Sequence, residues 1–174
     1  MTLNIQGLMN ERELEIIAEV ASQVPENGVI VELGCYKGLS SVAFASACHP
    51  SVKVYCIDMF TPPDLSEPSF YDEFIENTKH LPNIIPIKGV CPILLDYPGD
   101  MIDIFFNDAT HYNPYDWNNI EFFRKFIKPG GLLMGHDYNK NSYPDVVENA
   151  HRLEKELPNK LKLYPNTTLY TIRT

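Results

Sequence analysis

The sequence predicts an α/β fold, a three-layer αβα sandwich built on a mostly parallel sheet. Three observations point there. Short β-branched and aromatic runs alternate with longer amphipathic stretches through most of the 174 residues, the pattern of repeated strand–helix crossovers. The run Ile102-Asp103-Ile104-Phe105-Phe106 is nearly unbroken in apolar character, as a strand covered on both faces must be. A turn bounded by Gly34 and Gly38 separates the first apolar run from a stretch opened by Ser40 and Ser41, where a bare backbone and a helix N-terminus can meet a ligand.

Asn10-Glu11-Arg12-Glu13 has the form of a capping box. It predicts a helix whose apolar positions include Leu14, Ile17, Ala18 and Ala21, and which Pro25 and Gly28 end. Strands are expected over 29–33, 52–57, 84–87, 102–106 and 132–134, and helices over 40–47, 69–79, 115–127 and 144–157. A short helical segment is expected near 92–95. Lys128-Pro129-Gly130-Gly131 reads as the stop after the helix at 115–127. Two last strands, 161–164 and 169–172, are joined by Pro165-Asn166-Thr167, which fits a hairpin with one antiparallel strand at the sheet edge and brings the sheet to seven strands. The expected organisation is one domain over 1–174, with 1–27 as an N-terminal helical segment. The loops around 62–68 and 139–143 read either as substrate-facing flaps or as plain surface connections.

A hydrophobic fraction of 44% and an aromatic fraction of 11% are those of a folded protein. The net charge of −9 repels phosphate backbones and anionic membranes, so neither nucleic acid nor a membrane is expected as a partner. The four cysteines have no C-x-x-C spacing, and Cys35 and Cys56 read as small buried hydrophobes. With no basic-then-apolar leader and no run long enough to cross a bilayer, the expected location is cytoplasmic.

In open α/β sheets ligands gather at the carboxyl ends of the strands. The turn after the first strand is G-x-x-x-G, not the G-x-G-x-x-G of a pyrophosphate cradle. That favours a cofactor with an adenosyl group and an amino-acid tail but no phosphate, and counts against a nucleotide-dependent dehydrogenase. Asp58 follows Gly34 at the spacing of an acidic residue that takes a ribose diol. The other reading of Asp58 is a turn or cap residue. On the first, alanine there weakens cofactor binding with little effect on folding. Met59 is placed to press on an adenine face.

Asp108 and Asp137 end strands expected to be neighbours, roughly 4.8 Å apart. They either share a divalent ion or, without one, raise one another's pKa. His136 either supplies a nitrogen ligand or points away from Asp137, since strand residues alternate faces. His111, three residues past Asp108, is a candidate base or a loop histidine bonded to backbone.

The run Glu32-Leu33-Gly34-Cys35-Tyr36-Lys37-Gly38-Leu39-Ser40 resembles the cofactor loop of S-adenosylmethionine-dependent methyltransferases of the Rossmann-like class. The likeness is nearest to the catechol O-methyltransferase-like branch and the small methyltransferases of antibiotic and sugar tailoring. Phe106-Asn107-Asp108-Ala109-Thr110-His111 resembles that group's strand followed by D-G-x-H. Lys128-Pro129-Gly130-Gly131 and Gly135-His136-Asp137-Tyr138 resemble its K-P-G-G and G-H-D-Y blocks.

The resemblance implies that Glu32, Gly34, Tyr36, Gly38 and Ser40 hold the methionine portion of S-adenosylmethionine, Ser40 through its carboxylate. It implies Asp58 on the ribose, with Met59, Gly89 and Val90 near the adenine. Asp108 would face the amino group and, with Asp137, a magnesium ion; His111 stands where a basic residue is placed. The sequence departs from metal-dependent relatives in carrying His136-Asp137 where they have two carboxylates or a carboxylate and an amide, and imidazole is a less natural magnesium ligand than oxygen. Ala109-Thr110 also replaces a frequent Gly-Asp.

The resulting expectation is O-methylation of a small-molecule hydroxyl on a sugar, polyketide or other secondary metabolite, with His111 as base and His136 second. N-methylation and a non-catalytic cofactor-binding module are the alternatives. The chain has little beyond the core to form a lid, so the pocket is either open or completed by a second copy in a homodimer.

Overall fold

The computed structural model describes residues 5–61, 69–93 and 95–174. The chain runs α1 (Glu11–Ala21), β1 (Val29–Leu33), α2 (Leu39–Ala47), β2 (Lys53–Asp58), α3 (Tyr71–Thr78) and β3 (Ile84–Lys88). It continues with β4 (Ile102–Asn107), α4 (Tyr115–Arg124), β5 (Ile127–Gly135), α5 (Pro144–Glu156), β6 (Lys162–Leu163) and β7 (Tyr170–Arg173). The strands form one sheet in the order β3-β2-β1-β4-β5-β7-β6. β1 to β5 pair in parallel, while β7 pairs antiparallel with both β5 and β6. Strand order reverses between β1 and β4, the position at which such sheets open a crevice.

Two apolar layers cover the sheet. α1, α2 and α3 bring Ile16, Ile17, Phe44 and Phe74 onto the face presented by Ile30, Val54, Ile104 and Met134. α4 and α5 bring Ile120, Phe123, Ala150 and Leu153 onto the face presented by Val31, Ile57, Phe105 and Leu133. Each of these side chains larger than alanine, removed from water, contributes about 1.5–3 kcal/mol. Every residue of β1 is buried, as the expectation for a two-sided strand requires. The capping box at Asn10 and Glu13 is complete, each side chain accepting the other's backbone N–H at 3.0 Å.

Three expectations are corrected. α4 ends at Arg124, not at 127, and Ile127 and the Lys128-Pro129-Gly130-Gly131 run belong to β5. Ile102 pairs with Ile127 and Ile104 with Leu132, so the proline and glycines form a bulge inside the strand rather than a stop before it. The antiparallel strand is not at the edge: β7, with Tyr170, Thr171 and Ile172 buried, lies between β5 and the exposed two-residue β6. Only β7 has the side chains for a position covered on both faces. Third, residues 91–93 form a turn rather than a helix, and Leu94 lies outside the described residues, as does the loop expected over 62–68. No helix among the described residues is long and apolar enough to cross a membrane.

Candidate active site

The site begins with the backbone at the end of β1. Gly34 has φ +91°, and a Cβ there would meet the Asp108 carbonyl oxygen at 2.2 Å. Only glycine lets the β1 and β4 ends approach so closely. Past Gly34 the loop is gathered by Asp58 at the end of β2. One carboxylate oxygen accepts the N–H of Cys35 (2.8 Å) and Tyr36 (2.9 Å), and the other accepts the N–H of Phe60 (2.7 Å). Burial pushes the Asp58 carboxyl up, against the pull of these N–H groups.

Glu32 corrects the sequence reading. Its carboxylate is fully buried beneath the loop, where it accepts the hydroxyls of Ser40 and Ser41. It cannot touch a ligand directly. It fixes the first turn of α2 instead, and burial, only partly offset by the two serines, pushes its pKa up to about 7. The Ser40 hydroxyl is spent on Glu32, so the backbone at the start of α2 is what Ser40 offers to the cavity. Gly38 is also placed differently: its φ is +92°, and a Cβ there would press on Thr78 and Phe74 of α3, so it serves helix packing. Cys35 and Cys56 are buried, as expected.

A cavity of about 880 Å³ opens above this floor, near the upper end of the usual range for ligand sites. Gly34, Tyr36, Ser40, Asp58, Met59, Gly89, Val90, Asp108, His111, His136 and Asp137 all stand in its wall; Glu32 and Gly38 do not.

At the far side of the cavity, carboxylates and imidazoles alternate. His111 Nε2 lies 2.7 Å from Asp137 Oδ2 and 3.8 Å from Asp108 Oδ1. His136 Nδ1 lies 3.3 Å from Asp108 Oδ1 and 3.4 Å from Asp137 Oδ2. On its other side, His136 Nε2 lies 3.3 Å from Glu13 Oε1. The alternation expected of a strand would have sent His136 and Asp137 apart. β5 ends at Gly135, and Asp137 has φ +62°, so both side chains face the cluster.

Glu13 is the residue that sequence reasoning missed. Its capping role was legible, but the same carboxylate also accepts the Thr168 N–H (2.9 Å) and hydroxyl (3.1 Å), tying α1 to the turn before β7. Tyr143 was missed too; its ring centroid lies 4.5 Å from that of His111, in the cavity wall.

The charges follow from this geometry. Burial opposes protonation of His111, but Asp108 and Asp137 outweigh it and push the ring up to about 9. Burial likewise opposes charge on His136, and Asp108, Asp137 and Glu13 outweigh it, pushing it up to about 12. Burial raises Glu13, yet His136 and the N–H groups of Thr168 and Asn10 hold it down to about 2. Asp137 is lowered in the same way by His111 and His136.

A family profile described as a methyltransferase domain matches residues 31–138, a span that contains the β1 loop, Asp58, Asp108, His111, His136 and Asp137. The chain belongs to this family. Solved structures of similar fold include one from Staphylococcus aureus described as a caffeoyl-CoA O-methyltransferase (17% identity, 96% of this chain, 84% of that one, TM-score 0.70). Another is CalS11, a TDP-rhamnose 3′-O-methyltransferase (16%, 93% and 77%, TM-score 0.67). A third is an rRNA methylase from Streptococcus thermophilus (16%, 95% and 98%, TM-score 0.67). A comparison with curated proteins returned no match. As a methyltransferase of this class, the protein takes its methyl group from S-adenosylmethionine.

The donor set of the methyltransferase's charged cluster fits a divalent cation. Asp108, His111 and Asp137 present one ligand atom each, all within 4.8 Å of one another. His111 Nε2 is buried, with the Asp137 carboxylate at 2.7 Å as its nearest charged group. Two carboxylates and an imidazole suit manganese or zinc better than magnesium.

Asp58→Ala leaves three loop N–H groups without their acceptor. The expected result is a loss of about 2–3 kcal/mol in urea denaturation, together with weaker S-adenosylhomocysteine binding by calorimetry. That loss would replace the expectation that folding is spared, whereas unchanged stability would show that the loop does not depend on this carboxylate.

The cluster also sets a pH dependence. His111 has a folded pKa of about 9, above its usual 6.5, so its stabilisation is full below about pH 6.5 and is lost as pH rises through about 9. Glu13, held down to about 2 from 4.5, contributes above about pH 4.5 and fails as pH falls toward 2. The melting temperature of the ligand-free protein is expected to fall between about pH 6.5 and 9.5, with His111→Asn reducing that slope and His136 supplying the part that remains. An equal slope in the variant would contradict the assignment.

Proposed function

We propose that this methyltransferase transfers the sulfonium methyl group to an oxygen of a small-molecule hydroxyl, with His111 as the base. The observation that carries the reading is the placement of His111 Nε2, 2.7 Å from Asp137 Oδ2, in the wall of the cavity that the β1 loop floors. Oxygen acceptors have precedent on this fold in the names of two structural neighbours. An RNA acceptor, named for the third, is disfavoured by the net charge of −9. The four free thiols fit a reducing, cytoplasmic setting.

In this reading the adenosyl end lies by Met59, Gly89 and Val90, and the ribose beside Asp58. The methionine carboxylate meets the N–H groups at the start of α2, where a helix end favours an anion, and its ammonium faces Asp108. The sulfonium then lies near His111 and disfavours a second positive charge there, bringing the ring into its neutral, proton-accepting form. His136, shared among three carboxylates, stays cationic. It balances Asp108 and Asp137 rather than acting as a second base. Holding acceptor and methyl in line supplies about 7–11 kcal/mol of the barrier reduction; proton removal by His111 supplies a further 10²- to 10⁴-fold, roughly. With His111 Nε2 kept free as the base, Asp108 and Asp137 are the residues that would hold a divalent cation, which would supply Lewis acidity to an acceptor oxygen.

His111→Gln is expected to lower kcat by about 10²-fold or more while S-adenosylhomocysteine still binds. With cofactor saturating, the wild-type kcat/KM for the acceptor is expected to rise with pH and level off below the ligand-free value of about 9, because the sulfonium lowers His111, and the variant's residual rate to be flat. Full activity in the variant would remove His111 from the chemistry. Cofactor binding without methylation of any hydroxyl or amine in a broad panel would favour a non-catalytic module.

A further inference from the structure

We propose that the acceptor enters the cleft free of any phosphate-bearing handle, as an uncharged or cationic hydroxyl compound with an apolar body, and not linked to a nucleotide, to coenzyme A or to RNA. The inference rests on the methyl-transfer reading above and names the substrate class of that same site.

Charge decides it. The chain has 14 Lys and Arg against 23 Asp and Glu. Among the described residues, Lys37 alone of the Lys and Arg stands in the cavity wall. Its ammonium is already held, 2.9 Å from Glu73 Oε2 and donating to Gln6 Oε1 at 2.6 Å. The two histidines of the cleft each lie within 4 Å of carboxylates. The segments outside the described residues, 1–4, 62–68 and 94, contain no Lys or Arg. The first turn of α3, beside the rim, carries Asp72 and Glu73.

Without a bound cation, a diphosphate needs an Arg fork, free ammonium groups or an unencumbered helix N-terminus. Among the described residues the cleft offers none of these in excess of what the donor's own carboxylate takes, and the magnesium in the test below lets a cation-bridged phosphate overturn the proposal. Desolvating an unpaired phosphate here would cost several kcal/mol, with acidic neighbours adding repulsion.

The rest of the wall states what is welcome instead. Leu8 is 91% exposed yet lines the cavity, an apolar side chain held in water unless a ligand covers it. Met9 and Phe70 lie in the same wall, and Tyr143 lies along His111. Covering such surfaces returns roughly 25 cal/mol per Å², and the tyrosine and phenylalanine faces suit a flat or cationic body.

The test is isothermal titration of the full chain, saturated with S-adenosylhomocysteine and with magnesium present. The probes are coenzyme A, thymidine diphosphate and a short single-stranded RNA. None is expected to bind at millimolar concentration in low salt, and micromolar binding of any one overturns the proposal. A second arm measures S-adenosylhomocysteine release from matched pairs: a free phenol or methyl glycoside beside its coenzyme-A- or nucleotide-linked form. The free member is expected to turn over with at least about tenfold higher kcat/KM, and preference for the linked member overturns the proposal. Where neither turns over, the titrations decide. Failure of S-adenosylhomocysteine itself to bind would count against the methyl-transfer reading, before any probe is added.

Discussion

Two imidazoles held among three carboxylates organise the side of the cavity proposed to do the chemistry. Glu13 comes from α1, Asp108 from the end of β4, and His136 and Asp137 from the end of β5, with His111 on the loop between β4 and α4. Like charges brought this close would repel unless opposite charges stood between them. The alternation Glu13, His136, Asp108 and Asp137, His111 meets that condition. It also explains why an acidic side chain of the first helix reaches the turn before the last strand: the cluster needs a third carboxylate behind His136, and the Thr168 N–H and hydroxyl hold it there. The result is a cluster whose side chains are held in place by their opposite charges before any ligand arrives.

The cofactor side rests on a different economy. Asp58 gives up its carboxylate to three backbone N–H groups, and Glu32 gives up its own to two serine hydroxyls. Glu32 is therefore a brace beneath the surface that a ligand meets, while Asp58 braces the loop and also stands in the cavity wall. Backbone groups so braced make a stiff floor, and a stiff floor lowers the entropy lost on binding.

The fold was legible because its signals are local and periodic. The β-branched run 29–33, the apolar run 102–106 and the capping box at Asn10 each declare an element without help from the rest of the chain. Lys128-Pro129-Gly130-Gly131 misled because proline and glycine mark a turn in isolation, whereas here Ile127 already pairs with Ile102 across the sheet. The edge assignment failed for a related reason: burial, which separates β7 from β6, is a property of the assembled sheet. At the site, the residue types in Asp58, Asp108, His111 and Asp137 were enough to bring them into one cleft, since each follows a strand end. Glu13 was not, because its partners His136 and Thr168 are far along the chain. Nor was the joint orientation of His136 and Asp137, which depends on a positive φ at Asp137 that no residue type announces.

A crystal structure of the complex with S-adenosylhomocysteine measures the central claim most directly. The account predicts the adenosyl group between Met59 and Val90, the amino-acid tail over the start of α2, and the sulfur turned toward His111. A complex with the ligand outside this crevice, or with its sulfur turned away from the histidine and carboxylate cluster, would contradict it.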